Sequence, residues 1–322
     1  MKLLIVESPT KAKHIQHFLG EDWQVKASIG HVRDLEKSGE FSYVRPPDFK
    51  MNYCLTDDKH KEIVAGLKSA ASKAEAVYLA TDPDREGEAI AWHLCQVLGI
   101  KPSEAKRVTY QEVTESAVAK AVANPRTLDM KLVAAQEVRR GLDRMVGWEV
   151  SGPLSNVVGS KASAGRVQTP ALRIIVEREQ AIRAFKPTAF FQIMAHFPGG
   201  WRAAWIDGLK DGEYFQDKGF ADTLANALSG IMTLSVTQAE SKPTKKGPPA
   251  PFTTSTLQQD GSRSLKIGTE AIMKAAQALF EQGAITYHRT DSPNLSAEGE
   301  ALLRNTLQSS GLPTVETPVS GR

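Results

Sequence analysis

The run Thr81-Asp82-Pro83-Asp84-Arg85-Glu86-Gly87-Glu88 places a carboxylate at every second position, directly after the apolar stretch Ala76-Val77-Tyr78-Leu79-Ala80. In extended chain alternate side chains share one side, so the run reads as the carboxyl end of a buried strand crowded with acids. Such crowding needs a counter-ion. A hard divalent cation such as Mg2+ supplies one, because it takes oxygen ligands from one or two carboxylates and keeps its other positions for water and phosphate. Gly87 lets the chain turn, and Ala89-Ile90-Ala91-Trp92-His93-Leu94 then reads as the first turns of a helix. A solvated acidic turn is the competing reading. The flanking strand, the alternation and Pro83, which keeps Asp82 out of helical conformation, favour the metal.

Around this feature the rest of the chain has the makings of a multidomain globular protein: 322 residues, 41% hydrophobic and 24% charged, enough to bury one large or two to three ordinary cores. A net charge of +3 permits a nucleic-acid partner without arguing for one. Cys54 and Cys95 are too few for a disulfide framework or a cysteine zinc ribbon and suit a reducing compartment. The apolar start, Met1 to Val6, stops at Glu7, too short for a signal-peptide core or a membrane span. A cytoplasmic protein without a membrane partner is expected.

Leu3 to Val6 reads as a buried strand and Ser8-Pro9-Thr10 as a helix start. With a helical stretch around Glu62 to Ala74 and the strand before Asp82, the first part of the chain is expected to be α/β. Glu7 and Asp82 then both follow strands, where ligands of open α/β sheets collect. From Leu128 to Glu177 the pattern is helical, with Leu132, Ala135, Val138, Leu142 and Met145 as its apolar stripe. From Phe185 onward Phe190 to Ala195 and Trp201 to Trp205 read as strands of a β-rich segment. Ser241 to Pro251 is a proline-rich linker, Thr254 to Gly261 and Thr269 to Gly283 read as helices, and the end from Leu312 is polar.

Further constellations carry chemistry. In Gly283-Ala284-Ile285-Thr286-Tyr287-His288-Arg289-Thr290-Asp291-Ser292, an extended chain puts Tyr287 and Arg289 on one side and His288 on the other. A guanidinium there would favour phenolate and hold a phosphate under attack. Taken alone, a buried tyrosine beside a surface arginine is the simpler reading. Ser163-Ala164-Gly165-Arg166-Val167-Gln168 precedes a helix whose amino terminus could dock phosphate beside Arg166, although an ordinary Ser163 cap explains it equally well. Arg140, Arg144 and Trp148 recur at four-residue spacing, a face that grips phosphate and stacks on an unpaired base, or simply a solvated charged face.

Together these segments resemble the type IA DNA topoisomerases, nearest the bacterial topoisomerase I branch. The resemblance runs from Leu4 to about Ser296 through Val6-Glu7-Ser8-Pro9-Thr10-Lys11-Ala12-Lys13, Gly30-His31-Val32-Arg33-Asp34-Leu35, Asp82 to Glu88, Arg139-Arg140-Gly141-Leu142-Asp143-Arg144, Ser163 to Leu172, Phe252 to Gln259, and Ile285 to Ser292. It implies an α/β Toprim domain (1–127), the first part of a helical single-strand-binding domain (128–184), a β-rich arch segment and linker (185–250) and a partial helical tyrosine domain (251–322). It implies that Tyr287 attacks single-stranded or underwound DNA, joins the 5′ phosphate and frees a 3′ hydroxyl, relaxing negative supercoils without a nucleotide cofactor. The absence of a Gly-x-x-x-x-Gly-Lys-Ser/Thr loop agrees. The resemblance further implies Arg289 and Lys11 at the scissile phosphate, Glu7 near the leaving 3′ oxygen, and Asp82, Asp84 and Glu86 as Mg2+ ligands. Arg139, Arg140, Asp143, Arg144, Trp148, Ser163, Arg166 and Gln168 would contact the strand, with His31 near the site, and the protein would be a monomer.

The chain departs from the family in several places. Trp148 stands where a tyrosine is common, His288 where Met or Pro is usual, and Asp260-Gly261 replaces Glu-Ala. The resemblance implies strand passage between cleavage and rejoining, yet a His-Glu-Ala-Ile-Arg-Pro-Thr-like segment is missing and with it the return path through arch and gate, so the chain is expected to be either a fragment or a shortened natural relative. The alternatives are a non-catalytic single-strand-binding remnant and a Toprim nuclease or primase-like enzyme that does not use Tyr287.

Overall fold

The computed structural model describes residues 1–55, 57–206, 214–244, 247, 249–312 and 314. It contains two compact units, Met1–Arg166 with Pro248–Arg322, and Val167–Gly247.

The first unit opens with β1 (Lys2–Val6), α1 (Pro9–Leu19), β2 (Trp23–Ala27), β3 (Arg33–Leu35), β4 (Tyr53–Leu55), α2 (Asp58–Ala71), β5 (Val77–Leu79) and α3 (Arg85–Leu98). It continues through β6 (Lys106–Arg107), α4 (Glu115–Ala123), α5 (Met130–Glu149) and α6 (Ser151–Val158). The second unit holds α7 (Gln168–Ala184), β7 (Met194–His196), β8 (Arg202–Ala204) and α8 (Lys218–Ser229). The chain then returns to the first unit with α9 (Thr254–Leu265), α10 (Thr269–Glu281) and α11 (Ala297–Ser309).

A parallel sheet in the order β2-β1-β5-β6 organises the first unit, and β3 pairs with β4 separately. Strands of a parallel sheet are covered on both faces, which is why β1 is apolar from Leu3 to Val6. Leu3 and Ile5 face one core with Leu67, Leu79 and Leu94. Leu4 and Val6 face another with Ile15, Val118, Phe280 and Tyr287. That second core seats the C-terminal tyrosine segment against the sheet that ends in the acidic run.

The acidic run is extended only as far as Asp84. Asp84 is the N-cap of α3, its side chain accepting from the Gly87 N–H at 2.8 Å, so Glu86 and Glu88 lie in the helix's first turns and diverge from Asp82. Gly87 is inside the helix rather than at a turn. Its missing side chain permits close approach, since a Cβ there would sit 2.1 Å from the Asp82 carbonyl oxygen.

On α5 the period is as expected but the face is inverted. Leu132, Ala135, Val138 and Leu142 are exposed, while Val133, Gln136, Gly141 and Arg144 are buried. The inward polar groups find partners that hydrophobicity does not register: Gln136 donates to Glu86 Oε2 at 3.1 Å and Arg144 to backbone carbonyls of the segment around β3.

In the second unit β7 and β8 pair antiparallel, with Ala195 opposite Ala203. The β-rich reading there misses α8, which Asp217 caps through the Phe220 N–H at 3.1 Å. Of the expected linker, Lys245, Lys246 and Pro248 lie outside the described residues, and the remainder is neither helix nor strand. Of the expected polar end, Pro313 and residues 315–322 also lie outside them. No helix among the described residues is long and apolar enough to cross a membrane.

Candidate active site

Segments far apart in sequence meet beyond the carboxyl ends of β1 and β5. Glu7 follows β1, and its Oε1 accepts the Asp82 backbone N–H at 2.7 Å. Lys11, fully buried in the first turn of α1, donates to Asp82 and lies 4.7 Å above the Phe280 ring. From the other end of the chain the Tyr287 hydroxyl donates to Asp84 Oδ2 at 2.7 Å, with the Arg289 guanidinium 3.7 Å from the same oxygen. The Tyr287 N–H donates to the Gln111 carbonyl at 2.7 Å. Gly283, at φ +73, lets the segment pass the Val113 carbonyl, which would lie 2.5 Å from any Cβ there.

Electrostatics sort these groups. Burial first, then the Asp82 carboxylate, raises the Glu7 carboxyl to about 7, against its bond from the Asp82 N–H. A carboxyl near that value can hold a proton to give to a leaving oxygen. The phenol of Tyr287 is driven far above its ordinary range by burial and the bonded Asp84, and Arg289 opposes this only weakly. The expected preference for phenolate is therefore overturned at rest, because the nearer charge is negative. Burial and Arg289 lower His288, whose ring nitrogens have no hydrogen-bond partner.

Among the described residues no three His, Cys, Asp or Glu side chains converge as a metal cluster. Asp82 and Asp84 supply the hard oxygen donors that suit Mg2+, beside a Glu7 whose carboxyl is raised first by burial and then by the Asp82 carboxylate. Glu86 points elsewhere. It is held by His31 at 3.6 Å, Gln136 at 3.1 Å and Arg139 at 3.7 Å, and the His31 bond leads in lowering it to about 2.

The expected strand-binding residues are spread along α5 and beyond. Arg140 grips both Asp34 carboxylate oxygens at 2.8 Å. Arg144 donates to the carbonyls of Leu35, Glu36 and Ser42 and stacks on Trp148, whose ring meets Tyr43 edge-on. Arg166 pairs with Asp143 at 2.8 Å. Ser163 is exposed and caps nothing, because α7 starts at Gln168 with Val167 as its N-cap. Gln168 belongs to the second unit.

The sequence reading missed the ion centre behind the acidic run. Glu88 accepts from Arg107 Nε at 2.9 Å, from Arg126 at 2.8 Å and from the Asp129 N–H at 2.7 Å. Arg107 is fully buried and also donates to the carbonyls of Leu79, Thr81, Asp82 and Val108. A charged pair embedded in strand and helix leaves no periodic signal.

Residues 2–113 match the Toprim domain, which makes the N-terminal part a Toprim domain within a multidomain fold. Residues 127–317 match the family described as DNA topoisomerase. The chain is 49% identical over 307 residues to the plasmid DNA topoisomerase I of Xylella fastidiosa, covering 92% of this chain and 45% of that one. It is 43% identical over 317 residues to DNA topoisomerase 1 of Campylobacter jejuni, with 95% and 45% covered. Full-length topoisomerase I from Thermotoga maritima is similar in structure at a TM-score of 0.81 and 37% identity, covering 96% of this chain and 52% of that one. The chain belongs to the DNA topoisomerase family, in its type IA branch. It spans about half the length of these relatives.

Proposed function

We propose that this chain carries the cleavage and rejoining centre of a type IA DNA topoisomerase acting on single-stranded or underwound DNA. The observation that carries this reading is the bond from the Tyr287 hydroxyl to Asp84, which joins residues 203 positions apart at the acidic run.

In the cleavage step the Tyr287 oxygen bonds to phosphorus as the P–O3′ bond breaks. The phenol proton passes to Asp84, which already accepts it in a hydrogen bond. The 3′ oxygen takes its proton from Glu7, whose pKa of about 7 suits a general acid. Because the resting phenol is held protonated, its deprotonation accompanies attack. Lys11 and Arg289 turn from Asp82 and Asp84 to the phosphate oxygens, exchanging one anionic partner for another. Rejoining reverses each transfer, so the bond energy is kept and no nucleotide is consumed.

Asp82 and Asp84 are the proposed Mg2+ ligands, with Glu86 joining if it leaves His31 and Gln136. When bound there, Mg2+ would supply positive charge that offsets the negative charge of the reacting oxygens. Arg139, Arg140, Asp143, Trp148, Ser163, Arg166, Gln168 and His31 are the proposed strand contacts, and Arg144, expected from the resemblance to be one of them, is proposed instead to brace the segment around β3 beside them. The helical strand-binding region, the arch segment from 185 to 250 and the tyrosine segment from 251 are proposed as domains of this assembly, in a monomer.

The test is incubation with labelled single-stranded oligonucleotide, denaturation, and detection of protein-bound label. Label that disappears in Tyr287→Phe is expected. Binding without label would leave a non-catalytic remnant, and free cut ends persisting in Tyr287→Phe would make the protein a Toprim nuclease.

A further inference from the structure

We propose that Arg107 is a positioning residue for Glu7, acting through the Thr81–Asp82 peptide group; the inference rests on the cleavage reading above. Arg107 donates to the Thr81 carbonyl at 2.8 Å. The N–H on the opposite edge of that same peptide is the Asp82 N–H, which donates to Glu7 Oε1 at 2.7 Å. A peptide group is a rigid plane, so fixing its oxygen edge fixes the direction of its N–H. Glu7 is thereby aimed from behind by a guanidinium that never touches it.

Other contacts favour this role over that of a plain core ion pair. A pair with Glu88 needs only the Nε edge of the guanidinium, at 2.9 Å. The other edge reaches the Asp82 carbonyl at 2.7 Å, so both peptide groups flanking Asp82 are held at their oxygens. Thr81 and Asp82 are 2% and 8% exposed, leaving water little access to those carbonyls. A cation on the carbonyl also strengthens the N–H across the peptide as a donor, since hydrogen bonds in a chain polarise one another. Lysine, a point charge without the planar fork, cannot hold two carbonyls and Glu88 in the same geometry.

The experiment compares single-turnover cleavage of two oligonucleotides by the full chain. One carries an ordinary phosphodiester at the cleaved position and the other a 3′-bridging phosphorothiolate, whose thiolate leaves without needing a proton. Arg107→Lys is expected to slow the oxygen substrate about tenfold and the sulfur substrate by less than about twofold, because general-acid assistance matters only for the first. Glu7→Gln serves as the reference and shows the same pattern with a larger ratio. Both rates come from one preparation, so their ratio is independent of the fraction folded. Equal slowing of the two substrates would overturn the proposal. Should Arg107→Lys not fold, Glu88→Gln, which loosens the far anchor of the guanidinium, is scored by the same ratio. A ratio above about two supports the proposal and a ratio of one overturns it, on the same general-acid argument. If the native chain forms no covalent adduct with either oligonucleotide, the cleavage reading itself fails and the role of Arg107 falls with it.

Discussion

Asp84 and Glu88 stand one turn apart at the start of α3, yet their surroundings differ in kind. The Glu88 side chain is 1% exposed and enclosed by Arg107, Arg126 and the Asp129 N–H, so every direction from its carboxylate is committed. The Asp84 side chain is 22% exposed and is shared by a phenol and a guanidinium that approach from a distant segment. Saturated pairing holds a fold together. Pairing that solvent can reach leaves room for a phosphate to replace one partner.

The largest expected effect sharpens this contrast. Glu88→Ala strands the buried Arg107 charge and is expected to cost about 3–5 kcal/mol of stability, whereas Asp84→Ala loses chiefly a helix cap worth about 1 kcal/mol. Denaturant unfolding of the two variants measures both, and equal costs would erase the distinction. Gly87→Ala forces a methyl group against the Asp82 carbonyl and is expected to cost about 1–3 kcal/mol, together with oligonucleotide cleavage.

The next prediction concerns pH. The Glu7 carboxyl is raised from 4.5 to about 7 in the folded chain, so folding favours its protonated form. That contribution is complete below 4.5 and is lost as pH rises through about 7. Relative to Glu7→Gln, the native chain should therefore lose about 1–2 kcal/mol across that window after allowance for partial exposure, read from unfolding at several pH values. A flat difference would show that the cleft does not desolvate Glu7.

The smallest effects separate Arg140 from Arg144. Arg140 is held by one exchangeable carboxylate, and Arg140→Ala should make the salt slope of oligonucleotide binding shallower by about 0.7, one single-strand phosphate contact. Arg144 is committed to carbonyls, so Arg144→Ala should leave the slope unchanged and cost about 1–3 kcal/mol of stability. A shallower slope in Arg144→Ala would place it on the strand path after all.

What the sequence disclosed were features set by nearest neighbours. The apolar β1, the cap and proline that open α1, and the strand before Asp82 are local, and each forms where expected. Glu7, Lys11, Asp82, Asp84, Tyr287 and Arg289 stood out by their motifs, and the structure brings them into one cluster. What stayed hidden depends on partners elsewhere in the chain. The cap at Asp84 turns Glu86 away from the other acids, and the polar side of α5 faces inward because Asp34 and the carbonyls near β3 await Arg140 and Arg144. Arg107 sits in a short strand with nothing in its neighbours to announce a buried charge.

The seat of Tyr287 has a thermal consequence. Its ring and that of Phe280 meet edge-on at 5.0 Å within the core that also contains Leu4 and Val6. Drawing the tyrosine away from the sheet would wet both rings, as a miniature unfolding reaction does, and would carry the same positive heat-capacity increment. Separation of the two cut ends, wherever it requires that withdrawal, should therefore follow a curved rather than a straight Eyring plot.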